Sequence, residues 1–172
     1  MDGKTKTKNR NIADALDWFI LRIGHVFCWA NAILLAFIVI QVILRYGFSH
    51  GLIMLQELQW HLYSMAFMLG LSYAMVTNSH VRIDLFHGGF HKKTQEWIEI
   101  IAILFLLFPF ISLVCWHTIY FMTDSWVHNE RSLNPMGLPY RWIIKAFIPI
   151  GFILLALSAV SRLIRAVHYL TK

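Results

Sequence analysis

The sequence predicts an all-α membrane protein of four transmembrane helices accompanied by amphipathic interfacial helices. Two observations carry that expectation. Of the 172 residues, 58% are hydrophobic and only 14% charged, a composition too apolar for a water-soluble domain of this size. The charged residues also fall between long uncharged runs instead of alternating with apolar ones, so the runs match hydrocarbon better than a soluble core.

The elements follow in chain order. Residues 1–10 are basic and read as a flexible N-terminus near anionic headgroups. Across 11–24, Ile12, Leu16, Phe19, Ile20 and Ile23 recur at helical spacing behind Asn11, a reasonable N-cap, which predicts an amphipathic helix lying along the membrane surface. Four uncharged runs come next: Val26 to Leu44, Leu58 to Val81, Ile100 to Thr123 and Ala146 to Ser161. At about 1.5 Å rise per residue, a run of about 20 residues crosses roughly 30 Å of hydrocarbon. The fourth reaches that length if Lys145 and Arg162 carry their charged heads out to the two interfaces. The expected spans are about 25–46, 57–79, 98–123 and 143–162, within one domain over 25–166, followed by a tail at 167–172. Membrane strands would be shorter and would alternate polar with apolar residues. No cleavable signal peptide is expected, because Asp14 and Asp17 precede the first run and no small-x-small site follows it. After the break at His87-Gly88-Gly89, the stretch from His91 to Glu99 is expected to begin the third helix before the membrane, as a second surface-lying segment with Trp97 at the interface.

Orientation follows from the basic residues. Eleven of the 15 Lys and Arg lie in the N-terminal segment, the middle loop and the tail, while Arg45, Arg131, Arg141 and Lys145 are on the opposite side. The positive-inside bias therefore puts both termini in the cytoplasm. The same sorting by side argues against nucleic acid as a partner of this net +6 chain.

Catalysis is not expected. There is no Gly-rich phosphate loop, H-E-x-x-H or nucleophile elbow, and Cys28 and Cys115 sit within spans without metal or redox spacing. No Asp or Glu falls in the centre of a span, which disfavours an autonomous ion-coupled transporter. No cofactor is expected on the leading reading. His61 and His117 lie at similar depth on the second and third spans and leave open a cytochrome b-like alternative in which both ligate a haem. A membrane-assembly factor is a third possibility.

Structural roles are expected elsewhere. Ala66, Gly70 and Ala74 form a small-xxx-small series suited to close helix packing, within the chain or against a partner. Arg45 closes the first span and Glu57 opens the second, so the two are expected to pair across the hairpin. Arg82 and Asp84 in the middle loop, Trp97, and Pro139, Arg141 and Trp142 before the fourth span are candidate partner or interface contacts. Pro149 falls in the first turns of the fourth helix, where it is tolerated or kinks it mildly.

A series of motifs runs through Leu44-Arg45-Tyr46, Glu57-Leu58-Gln59-Trp60-His61, His80-Val81-Arg82-Ile83-Asp84, Gly137-Leu138-Pro139 and Ile148-Pro149-Ile150-Gly151-Phe152. In order and spacing, from about Ile12 to Arg165, it resembles the small (Q-type) membrane subunit of tripartite ATP-independent periplasmic (TRAP) transporters, in the form of the mannitol/chloroaromatic-compound branch. The resemblance implies a bacterial or archaeal inner-membrane protein that serves as a static scaffold. Its expected partners are a separate large permease subunit, which holds the substrate and sodium sites, and a periplasmic substrate-binding protein that delivers an organic acid. The surrounding membrane lipids complete that set of partners.

Overall fold

In the computed structural model, which describes residues 3–77 and 91–170 with side chains from residue 13 onward, every regular element is helical and no strand occurs among the described residues. Helix α1 is Gly3–Gly47, α2 is Ile53–Val76, α3 is Lys92–Ala102, α4 is Phe108–Val127 and α5 is Trp142–Leu170, with a π-helical turn, Ile103–Leu107, joining α3 to α4. Among the described residues, three stretches are long and apolar enough to cross a membrane: Ala13–Gly47, Lys92–Val127 and Trp142–Leu170. The expected second span, α2, is set apart by Gln56, Glu57, Gln59 and His61 in its first turns. It nevertheless packs against both α1 and α5.

Two expected boundaries are corrected. Residues 11–24 are not a separate element with Asn11 as its cap, and the basic segment before them is helical from Gly3; both belong to the one helix that runs to Gly47. The physical reason is that nothing between Ile12 and Val26 breaks a helix except Gly24, which costs only about 1 kcal/mol relative to Ala. The approach at Lys92–Ala102, expected to begin the third helix, does run on through the π-turn into α4 without leaving the helical path.

The π-turn has a local cause. Pro109 offers no N–H to the carbonyl one turn back, and its ring crowds that carbonyl. Widening the preceding turn to i→i+5 bonding relieves the crowding and lets α4 continue. The buried positions Ile100, Ile103, Ile111 and Ser125 then stay on one face.

Helix α5 is central, with α1, α2, α3 and α4 all packed on it. Its buried residues are mostly small or aliphatic, among them Gly151, Leu154, Leu155, Ser158, Ala159 and Ala166. Pro149 lies inside the helix and is buried. Away from α5 the helices expose large apolar side chains, including Trp29, Phe105, Leu106 and Trp116, as expected of surfaces that meet hydrocarbon or another membrane protein.

Close packing occurs at glycines other than the expected one. A Cβ at Gly151 would stand 2.9 Å from both the Cβ and the carbonyl oxygen of Met68, so α2 and α5 approach backbone to backbone there. Gly24 similarly makes room for the Tyr73 ring. At Gly70 a Cβ would find nothing within 4 Å, and Ala66 and Ala74 are only partly buried. The Ala66, Gly70 and Ala74 series is therefore not a seam within this chain. The reason is rotational: α2 turns Leu69 and Ser72 inward, which carries Gly70 to the outside.

Candidate functional site

The polar chemistry of the bundle gathers at its two ends. One end carries the α1–α2 and α4–α5 connections. There the Glu57 carboxylate, projected from the second turn of α2, reaches the loop before α5. One oxygen accepts hydrogen bonds from the Ser132 hydroxyl and, at 3.0 Å, from Asn134 Nδ2; the other accepts from the Leu138 backbone N–H at 2.6 Å. Gly137 makes this grip possible, because a Cβ there would lie 2.9 Å from Glu57 Oε1 and strike Ser132. The loop backbone is held in unusual conformations at Asn129, Met136 and Tyr140, with φ of 47°, 66° and 62°. Such residues persist only where surrounding contacts hold them.

Glu130 forms the second anchor. It accepts from Lys145 Nζ, faces Arg141 Nη1 at 3.6 Å, and its backbone carbonyl accepts from the Arg141 N–H at 3.2 Å. The Lys145 ammonium also sits 3.7 Å from the centre of the Phe121 ring. Beside it Trp126 and Trp142 meet edge to face at 4.2 Å. Lys145 therefore does not reach out to headgroups; it is buried against an internal carboxylate because one is available within the same hairpin.

The hydrogen bond from Lys145, and to a smaller extent the neighbouring Ser125 hydroxyl and the Arg141 charge, hold the Glu130 carboxyl below the usual carboxylate value of 4.5 despite some burial. Because its folded pKa is the lower one, the stabilisation is complete above pH 4.5 and is lost as pH falls further, through the folded pKa. Melting of the detergent-extracted chain is thus expected to be flat from neutrality down to about pH 4.5 and to drop below it. Glu130→Gln should lessen that acid-side drop while lowering the plateau.

A second expected result concerns the loop. Glu57→Ala removes three hydrogen bonds to a carboxylate, a loss of about 2–4 kcal/mol when net values of about 1.5–3 kcal/mol per charged bond are discounted for shared acceptors. Tryptic cleavage after the exposed Arg131 should accelerate several-fold, and unchanged cleavage would show that the loop holds itself.

At the opposite end, where α3 begins and α5 ends, α5 supplies two arginines. Arg162 binds Glu99 through Nε at 2.7 Å and Nη2 at 2.6 Å, and Glu96 through Nη2 at 3.3 Å, fastening α5 to α3. Arg165 binds Asp14 at 2.9 Å and also Asp17, fastening α5 to α1. Ser161 adds bonds to Asp17 Oδ1 at 2.6 Å and to the Ala13 carbonyl at 3.2 Å. Bidentate Arg–carboxylate geometry fixes direction as well as distance.

The remaining expected site residues are placed as follows. No ion pair joins Arg45 to Glu57 among the described residues: Glu57 turns to the loop, and Arg45 lines a groove with Gln41 and Gln56. His61 and His117 each bond through Nδ1 to a carbonyl of their own helix, at 2.6 Å to Glu57 and 3.0 Å to Leu113. Their helices, α2 and α4, both pack on α5, and no group of three His, Cys, Asp or Glu able to hold a metal occurs among the described residues. Trp97 is exposed, as is Pro139; Arg141 and Trp142 are half-buried in the Glu130 anchor. Arg82 and Asp84 lie outside the described residues, as does the break at residues 87–89.

Ser132, Asn134, Glu130, Lys145, Glu96, Glu99, Asp14, Asp17 and Arg165 carry no mark in the sequence as a set. The signal available is the concentration of acids at helix ends, but their partners stand as far as 151 residues apart.

A family model described as tripartite ATP-independent periplasmic transporters, DctQ component, matches residues 34–168. A TRAP transporter small permease protein of Haemophilus influenzae is 26% identical over 165 residues, which cover 91% of this chain and 94% of that relative. No solved structure is significantly similar to the chain. The family match takes in Glu57, the loop it grips and the Arg162 cluster of α3 and α5, though not Asp14 and Asp17, and by it the chain belongs to the DctQ component family of TRAP transporters, as a small permease component of a membrane transport system.

Proposed function

We propose that this chain is the static scaffold of a sodium-driven importer of an organic acid, working with a separate large permease subunit and a periplasmic substrate-binding protein. In this reading all four long helices cross the inner membrane, α2 included, with both termini in the cytoplasm, and the subunit belongs to the mannitol/chloroaromatic-compound branch. One observation carries it. Each of the seven described carboxylates has a partner within the chain: Asp14 and Asp17 with Arg165, Glu96 and Glu99 with Arg162, Glu130 with Lys145, Asp124 with His128, and Glu57 with the loop. Six of these seven tie one element to another at an end of the bundle, a use of charge that suits fixed geometry better than ion exchange. The open face at Gly70, flanked by the half-buried Ala66 and Ala74, suits a helix of the large subunit. Exposed Trp97 and Pro139 are further contacts in the same proposal.

The test is expression with and without a neighbouring large permease gene product, gentle extraction and reconstitution. A stable one-to-one complex that takes up an organic acid only with a sodium gradient and the binding protein is the expected result. Uptake by this chain alone, or failure to associate with any large permease, would overturn the proposal.

A further inference from the structure

Between α1 and α2, at the end of the bundle where they are joined, lies an open groove of about 290 Å³. Its polar half is formed by Arg45, in the last turn of α1, with Gln41 and Gln56. Its other half, toward the middle of the helices, is formed by Leu34, Ile38 and Tyr63. From Arg45 back to Leu34 the groove follows about 16 Å of helix at 1.5 Å per residue. Polarity therefore changes along the groove in the direction of the bilayer normal, from cationic to apolar.

The chain does not use the polar half for itself. Arg45 is exposed and makes no hydrogen bond or ion pair among the described residues. Gln41 donates from Nε2 to the Leu52 carbonyl at 3.3 Å, but its Oε1 is shielded and has no donor among the described residues. Gln59, by contrast, is spent on the Phe37 carbonyl at 2.8 Å, which keeps the two helices together at the groove floor. The exposed Trp60 and Tyr63 rings flank the opening, and rings of this kind favour the zone between headgroups and acyl chains.

We infer that this groove is a phospholipid site, with the lipid phosphate on the Arg45 guanidinium and an acyl chain along Leu34, Ile38 and Tyr63. A guanidinium matches a phosphate in charge and fork geometry. An unpaired guanidinium at the edge of hydrocarbon is satisfied by a ligand that brings its own anion and its own apolar tail. A partner helix does not fit a space of this volume lying between two helices already in contact. The inference rests on membrane insertion alone, so it stands or falls independently of the importer reading.

The experiment uses the full chain in nanodiscs containing a phospholipid with a photoactivatable group in its acyl chain. Peptide mapping of the wild-type protein should find label concentrated in the segments 34–45 and 56–63. Native mass spectrometry after detergent transfer should find one retained phospholipid, with retention reduced about ten-fold by Arg45→Gln. Leu34→Trp, which fills the apolar half and leaves the charge, should also reduce it, whereas Arg131→Gln in the far loop should not. Label spread evenly over the exposed apolar faces, or equal retention by the wild type and Arg45→Gln, would overturn the inference. So would a photo-crosslinker at position 45 that captures a polypeptide instead of lipid in native membranes. If the variants fail to fold, the wild-type labelling map decides the matter.

Discussion

Changing Arg162 to Met is expected to lower the stability of the extracted protein by about 3–5 kcal/mol, the usual cost of removing one member of a largely buried ion cluster. The side chains of Arg162, Glu96 and Glu99 are only 21%, 19% and 17% exposed. Without the guanidinium, two half-buried carboxylates one helical turn apart on α3 lose the α5 cation that they share and are left repelling each other at the α3–α5 contact. Arg162→Lys should recover only part of the loss, because an ammonium cannot serve both oxygens of Glu99 and also reach Glu96. Adding Glu99→Gln to the Met variant should restore more than it does in the wild type, so the two effects are coupled. The neighbouring pair makes the contrast: Arg165 and Asp14 are 46% and 53% exposed, and breaking that link by Asp14→Asn should cost about 1 kcal/mol or less. Titration with a denaturing detergent, followed by circular dichroism, measures all five variants, Glu99→Gln alone included. A loss near 1 kcal/mol for Arg162→Met would show the cluster to be open to water.

What the sequence made legible, and what it did not, divides along a physical line. Helix content and the long apolar stretches were legible because hydrocarbon demands continuous runs, and runs are local in sequence. Helix boundaries were less so: the polar face of residues 11–24 reads as a separate surface element, yet a change in polarity does not break a backbone, and α1 continues through it. Pairing was least legible. Arg45 and Glu57 look like partners because they are near in sequence and opposite in charge, but Glu57 finds Leu138 instead. That choice depends on a gap at Gly137 and on the α4–α5 loop folding back over α2, neither of which has a local signature. Gly137-Leu138-Pro139 and Glu57-Leu58-Gln59-Trp60 could be read as motifs from the sequence; that they are two halves of one contact could not.

The second large effect is expected at Gly151. The same reasoning about close packing that fails at Gly70 applies there, and the two positions give opposite signs for one chemical change. At Gly151 a new methyl would press on the Cβ and carbonyl oxygen of Met68 at 2.9 Å and on its carbonyl carbon at 3.2 Å. A flexible side-chain tip could yield, but a helix backbone cannot do so without moving α2 as a body. Overpacking of this kind costs about 1–3 kcal/mol, which exceeds the gain of about 1 kcal/mol from replacing Gly by Ala in a helix. Gly151→Ala should therefore destabilise the chain, and Gly151→Leu should force α2 off α5 and abolish the cooperative transition. Gly70→Ala meets nothing within 4 Å, so the propensity term acts alone and should raise stability by about 0.5–1 kcal/mol. Denaturing-detergent titration of the isolated chain decides the sign at each position. Repeating it on the chain bound to a large permease subunit separates packing within the chain from packing against the partner. A methyl at Gly70 that helps the free subunit but weakens the complex would mean that the Ala66, Gly70 and Ala74 face is where another helix comes close.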